Sequence, residues 1–534
     1  MSHDVVVIGA GINGLVAAAE LAGAGWSVCL VERNDRLGGF MASDELTRPG
    51  FVHDTFSSWH PLFVTGGAYA ALGDDLARHG LAYANTDGAV TASVDRDGRH
   101  VVAHRDPEAT MTAFAIDADR AAYGEMLGRL GADIDVIGAL LGTELRALTA
   151  LRPLATLARR GRQARLEGWA RDTAASGRRW TARHFEGREV DHLWAPWLLH
   201  AGLAPDSASG GLMIPLFAGT LHGAGLPVVV GGQRNFVGAF EALLRERGVD
   251  IRLGAPVDRI VVTGGRATGV VVGGETIRAD RAVLASVTPT ALYDELLADA
   301  PAQARTEARQ YRYGRGAMQV HVALSKPLEW SETALSGIPL VHLSDGSGST
   351  GIACAQAEAG VLPTRPTVVV GQQQLLDPTR CPDGAGMLWL QLQEVPFAPT
   401  GDSRGELDTA GGWTPELTQG YVDRVLDLVE EQAPGTRVSV LEWKALTPVD
   451  LTRANVNCVD GDPYCGSAEL DQNLVWRPGP TTSRHRTAVP GVWHIGAATH
   501  PGPGLGGGSG HLVAQSLIGA REGRFASLRE RLTR

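Results

Sequence analysis

The residues best suited to chemistry lie near the two ends of the chain. Gly9-Ala10-Gly11-Ile12-Asn13-Gly14 follows the β-branched run Val5 to Ile8 and opens an Ala-rich helical stretch to about Ala24; a second strand-like run, Ser27 to Val31, ends at Glu32. This order suits a dinucleotide. Gly9 permits a tight turn, Gly11 lets the backbone approach a pyrophosphate, and Gly14 lets the helix pack against the strand. Free N–H groups and the positive end of the helix dipole then face the phosphates. Glu32 is placed to accept a hydrogen bond from an adenosine ribose. Toward the other end, Gly502-Pro503-Gly504-Leu505-Gly506-Gly507 follows the strand-like Val492 to Ile495. It lacks a following βα unit and its acid, so it is not read as a nicotinamide site. It runs instead into an apparent helix, Ser509 to Ile518, and the amides of Gly504, Leu505 and Gly507 are expected to stabilise negative charge on a reduced cofactor. His500 and His60 are the candidate acid–base residues, with Trp59 as a pocket wall. The plainer alternatives are that His500 orders its loop through both ring nitrogens and that Trp59 packs a domain junction.

Such groups need elements to hold them. At about 150 residues per domain, the 534 residues suffice for roughly three to four domain-sized units with a large core. The chain is 44% apolar and 20% charged with a mean hydropathy of -0.04, the composition of a soluble globular protein. No run approaches the roughly 18 apolar residues of a spanning helix. Net charge is -11, which argues against nucleic acid as a partner. Cys29, Cys354, Cys381, Cys458 and Cys465 are scattered, so neither a metal site nor a disulfide framework is expected. Met1 to His3 lead straight into the first strand without signal-peptide features, and a cytoplasmic location is expected. Arg146 to Arg188 holds eleven arginines and three acids, beside Leu151, Leu154, Ala155 and Ala158 at helical spacing. It reads as a solvated helical face, the alternative being weak contact with a membrane surface. In the alternating run Met318 to Leu324, Gln319 and His321 share a face, as do Trp389, Gln391 and Gln393 in the next run. Those faces are either a polar cavity wall or the solvated side of a sheet.

Glu32 is followed by Arg33-Asn34-Asp35-Arg36-Leu37-Gly38-Gly39. Through this acid and R-x-G-G turn the chain resembles the two-dinucleotide-binding-domain flavoproteins, in which the turn passes under the FAD pyrophosphate. Within them it is similar to the phytoene desaturase-related group: carotenoid desaturases, carotene isomerases, retinol saturase and a further oxidoreductase branch. The resemblance covers nearly the whole chain. Pro49 to Phe56 is similar to the group's G-(aromatic)-x-x-D segment, and Val230-Gly231-Gly232-Gln233 to its central G-G segment. Val257, ahead of Gly264-Gly265-Arg266, falls where the backbone usually meets the adenine. Gly496-Ala497-Ala498-Thr499-His500-Pro501-Gly502 is similar to the C-terminal G-A-x-T-H-P-G signature, and Asp377-Pro378-Thr379-Arg380-Cys381-Pro382 resembles the oxidoreductase branch. Two positions depart from the pattern: Asn34 replaces a common arginine, and Gly506 to Gly508 replaces P-G-V, which is expected to widen the flavin-side loop.

The resemblance implies an α/β fold with a discontinuous Rossmann-type FAD-binding domain, residues 1–95, 225–290 and 480–534. An inserted α+β substrate-binding domain, a mixed sheet plus helices, takes 96–224 and 291–479. It implies non-covalent FAD held by Gly9, Gly11, Gly14, Glu32, Arg33, Arg36, Gly38, Gly39, Val257, Gly496, Gly504, Leu505 and Gly507, because no cysteine lies in the C-terminal segment where some relatives tether the flavin. The implied activity is dehydrogenation or desaturation of a hydrophobic, isoprenoid- or polyketide-like molecule. Hydride would pass to flavin N5, with oxygen or a quinone as acceptor. Trp59, Gln319, His321 and Trp389 would line the substrate pocket. A flavin amine oxidase is one alternative; such enzymes typically hold a lysine through a water at N5, and Lys326 and Lys444 are this chain's lysines. A non-redox flavin-dependent isomerase is another. A disulfide reductase would need a redox cysteine pair after the first βαβ unit, which is missing.

Overall fold

The computed structural model describes residues 2–146, 150, 155 and 165–519. It opens with β1 (Ser2–Ile8), α1 (Ile12–Gly23) and β2 (Val28–Val31), the βαβ start expected from the glycine spacing. A hairpin follows, β3 (Ala89–Val94) with β4 (His100–His104), and then a helical region that includes α2 (Asp117–Leu141) and α3 (Gly210–Ala224). Helix α4 (Gln233–Glu246) leads into β5 (Asp250–Arg252), β6 (Val257–Thr263), β7 (Arg266–Val272) and β8 (Glu275–Ser286). Strands β9 (Gly316–Leu324), β10 (Leu340–Leu343), β11 (Val368–Gly371) and β12 (Gly386–Val395) come next. Helix α5 (Pro415–Gln432), β13 (Val440–Leu446) and β14 (Val492–Ile495) complete the framework.

These strands make two seven-stranded sheets. The first has the order β6-β7-β8-β1-β2-β5, with β14 on the free part of β8. β1, β2, β5, β8 and β14 run parallel, with Val5 opposite both Val28 and Ala282. Val5, Val7, Val28 and Leu30 pack with Leu15 and Val16 of α1 and Phe236 and Phe240 of α4. Val6, Ile8, Cys29 and Val31 pack on the opposite face with Leu292, Tyr293 and Leu297. A strand buried on both faces has no reason to alternate, which is why Val5 to Ile8 is apolar throughout.

The second sheet has the order β13-β9-β12-β11-β10-β3-β4 and is antiparallel except where β10 meets β3. Met318, Val320 and Val322 of β9 and Leu388, Leu390 and Leu392 of β12 face α5, where Leu417, Tyr421, Val425 and Val429 cover them. Their neighbours Gln319, His321, Trp389, Gln391 and Gln393 take the other face and are buried too. The solvated-side reading of that face is therefore corrected: the helical region 180–224 packs over this side of the sheet, through Trp197, Leu198 and Ile214 around Trp389. The change of sheet precedes Ala89, because β3 pairs with β10. A boundary at 95 thus leaves one strand of the second sheet on the wrong side. Among the described residues no helix is long and apolar enough to cross a membrane.

Much of the arginine-rich stretch, including Leu151, Leu154 and Ala158, lies outside the described residues. Of its described arginines, Arg165 pairs with Asp133, Arg178 with Asp206, Arg183 with Asp172 and Arg188 with Asp95. Internal pairing of this kind satisfies their charge within the fold.

Candidate functional site

Three segments meet at the amino end of α1, where β1, β8 and β14 present their carboxyl ends. The Gly9 turn needs a left-handed backbone (φ +90°), and a Cβ at Gly14 would stand 1.9 Å from the Gly9 carbonyl oxygen, so Gly14 lets the helix start directly against the turn. A Cβ at Gly11 would meet nothing within 4 Å. Open space therefore begins where a pyrophosphate would approach. The Arg33 to Gly39 turn closes on the same place: Gly38 N–H donates to the Ala10 carbonyl (3.0 Å), and a Cβ on Gly39 would lie 3.5 Å from the Gly11 Cα. The Glu32 carboxylate is buried at the rim and accepts from Ala10 N–H (2.7 Å) and Asn34 N–H (2.9 Å). Arg33 and Arg36 are exposed on the turn. Asn34 ties back to the Ala454 carbonyl (3.3 Å), and the strand that begins at Val257 follows the Arg252 to Ala255 segment hydrogen-bonded to Glu32 and Asn34.

The C-terminal loop forms the third wall. Gly496 sits beside Ser286 at the end of β8, and its N–H donates to Ser509 Oγ (3.1 Å). Gly507 adopts φ +65°, and a Cβ there would meet Val16 of α1 at 2.7 Å; the Gly510 N–H donates to Asn13 Oδ1 (3.1 Å). Instead of widening the loop, the glycines at 507 and 508 let it lie close on α1 and Pro501, where a Cβ would stand 2.7 Å from Val16 and 2.9 Å from Pro501. Gly504 and Leu505 form the outer rim ahead of the helix over 508–519.

Both candidate histidines are held by protein groups. The His500 ring donates from Nε2 to the Leu140 carbonyl at the end of α2 (3.1 Å), while its own carbonyl accepts from His485 Nε2 (2.8 Å). His485 in turn contacts Glu144 through Nδ1 (2.8 Å). Burial pushes the His500 imidazolium down to about 4. Its geometry is that of a residue that fastens the signature loop to α2. His60 is wholly buried; its Nδ1 meets Tyr83 Oη (2.9 Å), its ring stands edge-on to Phe236, and burial lowers it to about 4. Trp59 bridges to Val228 and packs with the Trp194 cluster, as a junction residue does.

Sequence reasoning quoted three segments without seeing that they are one device. Arg380, fully buried, pairs with Asp54 Oδ1 (3.0 Å) and Asp377 Oδ2 (2.9 Å) and donates to the Val229 carbonyl (2.8 Å). Asp54 also accepts from Ser43, Ser58 and Gln233 N–H, and Asp377 from Gly231 N–H and Thr379. The G-(aromatic)-x-x-D segment, the central G-G segment and the Asp377 to Arg380 motif thus share one buried ion-pair triad. A second missed residue is Arg477, buried and donating to the carbonyls of Ala497, Ser467 and Tyr464, which anchors the signature loop. The signal for the triad was present, since a lone arginine beside an aspartate in an otherwise neutral motif invites a partner; nothing in the sequence marks Arg477 among so many arginines. His3, Cys29 and Asp250 also come together across β1, β2 and β5, with ligand-type atoms all within 4.8 Å. Asp250 is taken by Arg252 (3.0 Å), and burial pushes the Cys29 thiol up to about 12, so this is a hydrogen-bonded strand-edge group rather than a set of ready ligands.

Residues 12–444 match the family of flavin-containing amine oxidoreductases. The chain belongs to that family. Among this flavoprotein's relatives, pyridine nucleotide-disulfide oxidoreductase domain-containing protein 2 of Rattus norvegicus is 27% identical, covering 96% of this chain and 94% of the relative. Hydroxyneurosporene desaturase of Rubrivivax gelatinosus is 27% identical over 97% and 93% of the two chains. The solved structure of a putrescine oxidase with putrescine bound superposes with a TM-score of 0.62 at 17% identity, over 97% of this chain and 99% of that one. The protein is an FAD-dependent oxidoreductase of the phytoene desaturase-related kind, and the expected α/β flavoprotein fold is the one observed. Neither lysine is placed for amine oxidation. Lys326 pairs with Glu329 at the surface (2.9 Å), and Lys444 is exposed on edge strand β13.

Proposed function

We propose that this flavoprotein dehydrogenates or desaturates a hydrophobic, isoprenoid- or polyketide-like small molecule, with oxygen or a quinone as the final acceptor. The observation that carries the reading is the convergence of the Gly9–Gly14 turn, the Arg33–Gly39 turn and the 496–507 loop on open space at the carboxyl ends of β1, β8 and β14, the side of a parallel sheet where ligands bind. Gly9, Gly11, Gly14, Glu32, Gly38, Gly39 and the Val257 backbone would hold FAD without a covalent bond, and Gly496, Gly504, Leu505 and Gly507 would form the flavin side. Bound FAD supplies a hydride acceptor and an electron sink. The protein's own tasks are to align the substrate carbon, exclude water and keep the 496–507 loop rigid. Residues 1–88, 225–290 and 480–534 make the cofactor half in this reading, and the rest the substrate half. His500 positions the loop through Leu140 and His485 and need not exchange a proton. A cytoplasmic enzyme with a lipid-soluble substrate fits this arrangement.

The test is anaerobic. Candidate isoprenoids and polyketides are mixed with the purified yellow enzyme, and the flavin band near 450 nm is expected to bleach with a substrate and return with oxygen or a quinone, on the order of 1–1,000 per second at turnover. Bleaching by NADPH alone at the turnover rate would show that the electron flow has been assigned wrongly. A chromophore that stays with acid-precipitated protein would refute non-covalent binding.

A further inference from the structure

The inward face of the second sheet is polar where a plain hydrocarbon calls for apolar side chains. Gln319 and His321 of β9, Trp389, Gln391 and Gln393 of β12 and His342 of β10 lie on this face, and all are at least nine-tenths buried. Register makes them neighbours: Gln319 stands opposite Gln391 and His321 opposite Trp389, while Val369 links Gln391 to His342. His321 Nε2 reaches the Thr55 carbonyl (3.1 Å), which sets this wall against the segment that starts at Asp54.

Five atoms of this row have no hydrogen-bond partner: both side-chain heteroatoms of Gln319, Nδ1 of His321, Nε1 of Trp389 and Oε1 of Gln393. Native interiors leave few such atoms, and they are costly wherever they stay unpaired. Their concentration on one face marks a place completed by something outside the chain. The row offers both donors and acceptors, and none of its side chains is a carboxylate, guanidinium or ammonium. Burial holds His321 at about 4 and His342 well below the ordinary imidazole value, so both are neutral at pH 7.

We infer that this face is the polar half of the substrate site, and that the substrate is an apolar molecule bearing an uncharged hydroxyl or carboxamide group. The inference rests on the oxidoreductase reading above for the site it belongs to, and narrows the substrate class within it. A protonated amine finds no carboxylate on this wall, and a bare polyene leaves its donors and acceptors unpaired.

The test titrates the purified holoenzyme with hexan-1-ol, hexanamide, hexane and hexylammonium, followed by the visible flavin band and by intrinsic tryptophan fluorescence. Hexan-1-ol and hexanamide are expected to half-saturate at concentrations at least about tenfold below hexane, the gain of one or two recovered hydrogen bonds, although hexane is driven from water more strongly. Gln319→Leu, and separately Gln391→Leu, should reduce that ratio below about threefold while flavin stays bound. Hexane binding as tightly as hexan-1-ol, no response to any of the four probes, or an unchanged ratio in both variants overturns the proposal. Hexylammonium binding more tightly than hexan-1-ol overturns the uncharged class. The fluorescence readout needs no flavin, so a chain isolated without flavin would count against the oxidoreductase reading alone.

Discussion

Replacing Arg380 by methionine removes the centre of the triad that joins the Asp54 segment, the Gly231 turn and the Asp377 motif. Asp54 and Asp377 are left as carboxylates of 0% and 2% side-chain exposure. Each keeps other donors, namely Ser43, Ser58 and Gln233 N–H for Asp54 and Gly231 N–H and Thr379 for Asp377. The expected loss is therefore that of a broken buried pair, about 3–5 kcal/mol, rather than the far larger cost of a bare buried ion. Part of that loss comes from the Val229 carbonyl, which is left without the Arg380 donor. Of a typical domain stability of about 5–15 kcal/mol, this is about a fifth or more. The pH dependence adds a sign. In the wild type, burial raises the Asp377 carboxyl, but the Thr379, Gly231 and Arg380 bonds outweigh it and hold it below the ordinary value, so its contribution is present above about pH 4 and fades in acid. Without Arg380 the Asp377 carboxyl loses one of the partners that hold it down and rises, and protonating it relieves the repulsion between the two buried carboxylates. The deficit of the variant should thus be largest at pH 7.5 and smaller at pH 5.5. Urea unfolding followed by tryptophan fluorescence at both values measures it. A loss under about 1 kcal/mol at pH 7.5, or a deficit that grows toward acid, would refute the reasoning.

Three further outcomes are expected. Gly11→Val should leave the fold intact, since its side chain enters open space, yet abolish flavin binding, whereas Gly14→Ala should destabilise the chain itself because its Cβ would stand 1.9 Å from the Gly9 carbonyl; flavin absorbance per chain set against the thermal midpoint separates the two. Burial holds His60, His192, His321, His494 and His500 at about 4, so from pH 6.5 down to 4 the unfolded chain binds protons that the folded one refuses; stability should fall by roughly 1.4 kcal/mol per histidine per pH unit, and a urea midpoint unchanged between pH 7 and 5 would contradict this. His500→Ala should slow anaerobic flavin reduction less than about tenfold, because the ring is engaged with Leu140; a fall of roughly 100-fold or more in stopped-flow would make it an acid or base.

What the sequence determined by itself is local. A turn of three glycines between a β-branched run and an Ala-rich helix admits few conformations, and their spacing to Glu32 is set by the length of one helix and one strand, so the βαβ start and the glycine turn within it were legible from Val5 to Glu32. The alternation along β9 and β12 was equally legible, because a period of two follows from strand geometry. Which side of that sheet meets water was not, since both faces carry a mixture that a helical layer can cover, and only the packing of the 180–224 region decided that Gln319 and His321 lie inside. Tertiary structure alone also brought Asp54, Gly231, Asp377 and Arg380 together, from segments more than a hundred residues apart, and turned the His500 ring to the end of α2. Local patterns record the backbone geometry of one element at a time. Partners of a buried charge are chosen by how elements pack, and no single segment carries that information.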